Sequence, residues 1–294
     1  MRRSAGPIML KLTMKYWLKH PALCAIDLAT EPLEVWRLAQ DDFIAHRERQ
    51  RPRAQYRADA DWEARMHAAL GIPWPCPIAS EFWELWPSIM RELEEHGIRP
   101  GPESFQYWND GDAGFVRALW CAIRHSRPKT VVETGVAHGV TSRFVLEALA
   151  RNGHGHLWSI DFPPFERELR KHVGIAVGDR FADRWTLIDG SSRRRLPALL
   201  AKLSEVDLFV HDSLHSERNV RFELDRVWPA LAPRGIMVVD DIDASSGFHS
   251  FTEHFTPVNP MVCEAEPVRP DNRRFNRKGL FGVILKQPSA RITT

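Results

Sequence analysis

The stretch Thr130-Val131-Val132-Glu133-Thr134-Gly135-Val136-Ala137-His138-Gly139 decides how the rest of the chain is read. Its first three residues are all β-branched, the mark of a short strand. A glycine-bearing turn follows, and residues 140–150 then carry helical periodicity, with Thr141 or Ser142 near the start. Gly135 permits a tight turn and a positive φ, while Ala137 and Gly139 keep bulk away from a ligand pressed against the backbone. The N-terminus of the following helix offers free N–H groups to an anionic or polar ligand.

Downstream, the same alternation repeats. Leu157-Trp158-Ser159-Ile160 ends in Asp161, Trp185-Thr186-Leu187-Ile188 in Asp189-Gly190, and Val206-Asp207-Leu208-Phe209-Val210 in His211-Asp212. Short helices are expected over 196–203 and 219–231, the second with Phe222, Leu224, Val227 and Trp228 on its apolar face. Arg234-Gly235 turns into Ile236-Met237-Val238-Val239, which ends in Asp240-Asp241. Two last strand candidates, 261–263 and 280–285, flank a basic loop at 269–278 that reads as a substrate lid or a plain hairpin loop. Strands that are apolar throughout and alternate with helices predict a doubly wound, mainly parallel α/β sheet covered on both faces. In such a sheet ligands bind outside the carboxyl ends of the strands, where these glycines and carboxylates converge.

Upstream, residues 1–127 read as a helical, proline-punctuated extension to the sheet-forming part, 128–294. Helices are expected over 32–45, 60–70, 80–95 (Ser80 as N-cap, Gly97 as stop) and 114–123. Eight of the eleven tryptophans lie here, including Trp62, Trp108 and Trp120, and read mainly as core. Arg47, Arg49, Arg51, Arg53 and Arg57 read as a solvated basic run. Forty basic and thirty-eight acidic residues leave a net charge of +2, which disfavours a dedicated nucleic-acid binder. The apolar patch Ile8-Met9-Leu10 is too short for a signal peptide or a membrane span, so a cytoplasmic protein is expected. Cys24, Cys76, Cys121 and Cys263 form no CxxC pair, so reduced thiols rather than a zinc site are expected.

Asp161 follows Gly139 by 22 residues, the spacing at which a second-strand carboxylate receives ribose hydroxyls. A nicotinamide site prefers G-x-G-x-x-G and seats a pyrophosphate, which Glu133 would repel. Residues 133–139 resemble instead the first motif of class I S-adenosylmethionine-dependent methyltransferases, E/D-x-G-x-G-x-G, with Ala137 in place of the middle glycine. The resemblance covers 128 to about 285 and implies a seven-stranded Rossmann-like sheet and S-adenosylmethionine as cofactor. It assigns Glu133, Gly135, Ala137, Gly139, Asp161, Asp189 and Gly190 to cofactor binding.

Asp212, Asp240 and Asp241 at adjacent strand ends offer hard oxygen ligands for Mg²⁺. Their placement is similar to that of the metal-dependent O-methyltransferase branch, which acts on small molecules and sugars of natural products. The acceptor it implies is a small molecule or glycoside, without nucleic-acid or membrane partners. Asp212 and His215 are the candidate catalytic residues, with His211 the rival base. Each histidine also reads as a hydrogen-bonded turn residue, and the aspartate pair as a helix cap plus one ligand. Acceptor-pocket and homo-oligomer roles both stay open for the extension. The rival readings are a nicotinamide-dependent oxidoreductase and a non-catalytic binding module of the same fold.

Overall fold

The five apolar runs become β1 (Thr130–Thr134), β2 (His156–Asp161), β3 (Trp185–Asp189), β4 (Val206–His211) and β5 (Leu231–Val239) in a computed structural model. It describes residues 6–48, 50–97, 112–162, 164–255, 259–265 and 279–287. Trp108, Arg49 and the 269–278 loop lie outside those residues. These five strands pair in parallel, and an antiparallel pair, β6 (Met261–Glu264) and β7 (Leu280–Leu285), completes the sheet in the order β3-β2-β1-β4-β5-β7-β6. Chain order reverses between β1 and β4, the switch point where an open α/β sheet parts into a crevice.

Helices cover both faces because successive strand residues point to opposite sides. Val131, Leu157, Leu208, Ile236 and Val238 face one apolar layer. That layer is completed by α4 (Trp62–Leu70), α5 (Ala79–Glu95), α6 (Ala113–Ser126) and α7 (Val140–Asn152). Val132, Ile160, Phe209, Met237 and Val239 face the other, with α9 (Ser192–Leu200), α10 (Glu217–Val227) and α11 (Gly247–His254). The short α8 (Arg167–Arg170) lies between β2 and β3. Residues 113–123 of α6 are all buried, so the core runs continuously across position 127. Trp62 and Trp120 belong to that core, whereas Trp36, Trp74 and Trp83 are exposed.

The first three helices, α1 (Gly6–Lys19), α2 (Pro21–Thr30) and α3 (Pro32–Glu48), attach mainly through charge. Buried Asp27 pairs with Arg167, Glu31 with Arg170 at 3.4 Å, and buried Glu34 with Arg194 at 2.6 Å. Glu48 accepts the backbone N–H groups of Glu217 and Arg218 at 2.8 and 3.1 Å, a charged cap on the start of α10.

Local readings differ in four places. Ser80 does not cap α5: Ile78 holds the cap position and no side chain caps the helix. The helix expected over 196–203 begins earlier, at Ser192, and takes in Arg193, Arg194 and Arg195. Arg234-Gly235 lies within β5, where the β4–β5 register shifts between Val206 and Leu208 and Arg234 takes φ 68°, a bulge rather than a turn before the strand. On α10 the buried positions are Asn219, Val220, Glu223, Leu224 and Val227, so a glutamate replaces the expected Phe222 on the core face. Among the described residues no helix is long and apolar enough to cross a membrane.

Candidate active site

Four backbone hydrogen bonds continue the parallel ladder beyond the strands and align their ends. Gly190 N–H donates to Asp161, Gly135 to Ile160, Asp212 to Thr134 and Asp240 to His211, all at 2.8–2.9 Å. The residues that follow β1, β3, β4 and β5 thus form one row with Asp161 at the carboxyl edge.

Each glycine in this row admits a close approach of the chain itself. At Gly135 (φ 87°) a Cβ would stand 2.0 Å from the Asp212 carbonyl oxygen. At Gly139 (φ 83°) the space expected for a ligand is taken by Gly174, whose Cα would be 2.9 Å away; Gly174 N–H donates to the Ala137 carbonyl at 2.9 Å. At Gly190 it is taken by the Arg194 and Arg195 guanidinium groups and by Glu34. Ala137 adopts φ 51°, the left-handed region where glycine would be the ordinary choice.

The two carboxylates expected at the cofactor are fully or nearly buried. Glu133 Oε2 accepts the hydroxyls of Ser142 and Ser159 at 2.6 and 2.7 Å, while its Oε1 is buried without a hydrogen-bond partner. Burial raises its pKa to about 7 against those hydrogen bonds, with Asp161 adding repulsion. Asp161 is likewise pushed up to about 7, first by burial and then by Asp189, although the N–H groups of Val136, Phe162 and Ala137 favour its ionised form. Its Oδ2 is buried and unpartnered. Two buried carboxylate oxygens lacking donors fit the hydroxyl and amino groups of a nucleoside amino acid. Asp189 is the outlier: it is exposed and engaged by Arg170 at 3.1 Å.

Beyond β4 and β5, ligand atoms of Asp212, His215 and Asp240 lie within 4.8 Å of one another. Asp241, expected as the third carboxylate, is outside that group; it turns through φ 47°, and its Oδ2 stands 4.0 Å from His215 Nε2. Burial pushes Asp240 well above the usual carboxylate range, and the charges of Asp241, Asp212 and Asp112 push it further. A cation between these groups would relieve that repulsion. Two carboxylates and an imidazole suit a divalent ion.

His211 is occupied elsewhere. It is fully buried, with Nδ1 2.6 Å from Glu223 Oε2, and Glu223 also accepts Thr134 Oγ1 at 2.5 Å, Ser213 Oγ at 2.8 Å and Asn219 Nδ2 at 2.9 Å. Burial opposes the Glu223 charge, but His211 and the hydroxyls of Ser192 and Thr134 outweigh it and draw the carboxyl down to about 2. This network stiffens the turn that carries Asp212 and His215.

A small, open cleft lies beside His215, lined also by Leu214, Ser216, Ser246, Arg51 and Arg53. The two arginines come from the run read as solvated; they are exposed and also form a wall. Sequence reasoning missed Glu34, Glu223 and Asp112. Glu34 accepts Ser191 N–H at 3.2 Å beside the β3 turn, and Asp112 caps α6 through Gly114 and Phe115 while adding its charge to Asp240. Each is an ordinary helix glutamate or cap aspartate by pattern, so no local signal marks it.

Residues 132–242 match the family model described as a methyltransferase domain. No curated protein matches the sequence significantly. Among solved structures, the fold is similar to that of a Klebsiella pneumoniae protein provisionally described as an O-methyltransferase (14% identity, TM-score 0.51, 77% of this chain and 97% of that one). It is similar also to an O-methyltransferase from Bacillus cereus in complex with SAH (10% identity, TM-score 0.51, 76% and 98%). The strand order, the aligned strand ends and the matched segment 132–242 together are similar to those of the class I S-adenosylmethionine-dependent methyltransferases.

Proposed function

We propose that this methyltransferase acts on an oxygen of a small-molecule or glycoside acceptor, assisted by a divalent cation such as Mg²⁺. The observation that carries the reading is the meeting of Asp212, His215 and Asp240 beside a cleft that His215 itself lines. Both solved neighbours named above are described as O-methyltransferases, which favours oxygen over nitrogen as the acceptor atom.

S-adenosylmethionine supplies a methyl group already activated by its sulfonium. The protein's task is then to position the partners and to manage the acceptor's proton. Asp161 and Glu133 hold hydroxyl and amino donors through their unpartnered oxygens, and the turn 135–139 supports them from below. Asp212 and Asp240 would hold the cation, which would supply Lewis acidity beside the acceptor hydroxyl. His215 receives the proton, with Asp241 Oδ2 4.0 Å from its Nε2. Arg51 and Arg53 orient acceptors that present a polar edge to the cleft.

Calorimetry with S-adenosylhomocysteine, with and without Mg²⁺, tests this on wild type and Asp240→Ala, alongside methyl transfer to phenolic and glycosidic hydroxyls. The expected result is cofactor-product binding in both proteins and Mg²⁺-dependent turnover in wild type only. Turnover indifferent to chelator and to Asp240→Ala would remove the cation; turnover only on amines would remove the oxygen acceptor. Loss of the acidic limb of the pH profile in His215→Ala, with cation affinity kept, supports the base. Loss of cation affinity would reassign His215 as a ligand.

A further inference from the structure

Four side chains far from one another in sequence, and unused by methyl transfer, converge in the N-terminal half of the molecule. His67 comes from α4, Cys76 from the segment between α4 and α5, and Cys121 and His125 from α6. Cys121 and His125 are four residues apart on one helix, so they share a face. Cys76 Sγ lies 3.5 Å from Cys121 Sγ and 3.5 Å from His125 Nε2. One ligand atom each of His67, Cys76 and His125 falls within 4.8 Å of the others, and Cys121 stands outside that mutual group, beside Cys76.

His67 is fully buried. Its Nδ1 is 2.7 Å from the Glu63 carbonyl oxygen, so Nδ1 carries the hydrogen and Nε2 is left as the acceptor. That Nε2 is buried with no hydrogen-bond partner. A histidine whose outer nitrogen is tied to a backbone carbonyl while its inner nitrogen aims at thiols has the second-sphere arrangement of a metal ligand.

The spacings discriminate between the two fates of a buried thiol pair. A disulfide needs its sulfurs about 2.05 Å apart, and these two cysteines are free. A tetrahedral Zn²⁺ with bonds of about 2.3 Å to sulfur and about 2.0–2.1 Å to nitrogen sets neighbouring ligand atoms roughly 3.3–3.8 Å apart. Both measured separations fall in that window. Soft thiolates with imidazoles select zinc over the hard cations suited to Asp212 and Asp240. Both sulfurs belong to buried residues, and with Cys121 as the fourth ligand the set would leave no position for substrate.

We propose that His67, Cys76 and His125, with Cys121 turned in from beside Cys76 as the fourth ligand, form a structural zinc site that ties α4 and the 71–78 segment to α6. Binding exchanges two thiol protons for two Zn–S bonds and two imidazole lone pairs for Zn–N bonds, with no change of oxidation state. The site clamps the irregular, proline-rich part of the chain onto the helix that lies deepest in the core.

The test is metal analysis by plasma mass spectrometry of the full chain, purified without added metal or chelator. About one zinc per chain is expected in wild type and in Asp240→Asn, and none in Cys76→Ser or His125→Ala. Refolding wild type with Co²⁺ should give the visible bands of tetrahedral thiolate-bound cobalt. Should the variants fail to fold, thiol labelling of wild type decides: Cys76 and Cys121 should resist reagent until a chelator is added. Metal-free wild type with no cobalt spectrum, zinc retained in Cys76→Ser, or a Cys76–Cys121 disulfide in the freshly isolated chain would each overturn the proposal.

Discussion

Two groups of side chains in this molecule can hold a metal, and they are built on opposite plans. Asp212, His215 and Asp240 are half-buried, rich in oxygen, and carried by residues just beyond two parallel strands. His67, Cys76, Cys121 and His125 are rich in sulfur and nitrogen, sit beside the core, and come from two helices and a loop. The first group keeps like charges close together and stays near a cleft, so it is suited to take and release a cation or a substrate. The second is mostly buried and would be tied together by one metal, so it is suited to hold the chain in place. Chemistry that turns over needs an open, unfavourable site, whereas a staple needs a closed one.

The largest expected effect separates the two groups by activity. Asp212→Asn and Asp240→Asn should each lower kcat/KM for methyl transfer by about 10²–10⁴-fold, the range lost when proton handling or charge stabilisation fails. Cys76→Ser should leave kcat/KM within about threefold at a temperature where it is folded. A comparable loss in Cys76→Ser would break the distinction.

Thermal unfolding should show the reverse order. Cys76→Ser should lower the midpoint by about 10 °C, the loss of a tightly bound ligand spread over a chain of this size. Asp240→Asn, measured in chelator at pH 8, should raise the midpoint by a few degrees, because it removes a buried charge facing Asp241 and Asp212.

Glu133 sharpens the point on the cofactor side. Its folded pKa of about 7 exceeds its ordinary value of 4.5, so between those pH values the folded chain keeps a proton that the unfolded chain releases. Stability from this group therefore falls as pH rises through that window. Glu133→Gln should stabilise the chain at pH 8, by at most about 3 kcal/mol, and change little at pH 4. Denaturant titrations at the two pH values check this.

The smallest effect concerns Asp161. In the proposed reading ribose hydroxyls would favour its ionised form, whose pKa without ligand is raised to about 7. Affinity for S-adenosylhomocysteine should fall as pH drops below that value, by up to about tenfold per pH unit. Asp161→Asn should flatten that dependence in calorimetry, though at weaker affinity.

Much of the sheet was legible because its information is local. Runs such as Val131-Val132 and Leu208-Phe209-Val210 place one residue on each face with a period of two, and their neighbours in the sheet do the same. The crevice was legible for the same reason: strand ends in register bring their next residues into one row, as with Gly135, Asp161, Asp212 and Asp240. What the pattern missed is long-range. Glu223 takes an apolar position on α10 because buried His211 and the hydroxyls of Thr134 and Ser213 await it. Gly139 is needed because Gly174 folds back against it, 35 residues later. Asp241 leaves the carboxylate group because its backbone turns into the left-handed region immediately after the strand.

Sequence alone thus determined the strand–helix alternation, the carboxyl edge of the sheet at which its glycines and carboxylates gather, and Asp161, Asp212, His215 and Asp240 as residues of that edge. Those follow from side-chain period and from the parallel register, both of which act between near neighbours. Only the tertiary structure decided that α6 belongs to the same core as the sheet, that His211 is locked away while His215 faces the cleft, and that two widely spaced cysteines meet two histidines. Burial and close approach are properties of pairs, and in each of these the partners are separated by chain whose length and path no local pattern encodes.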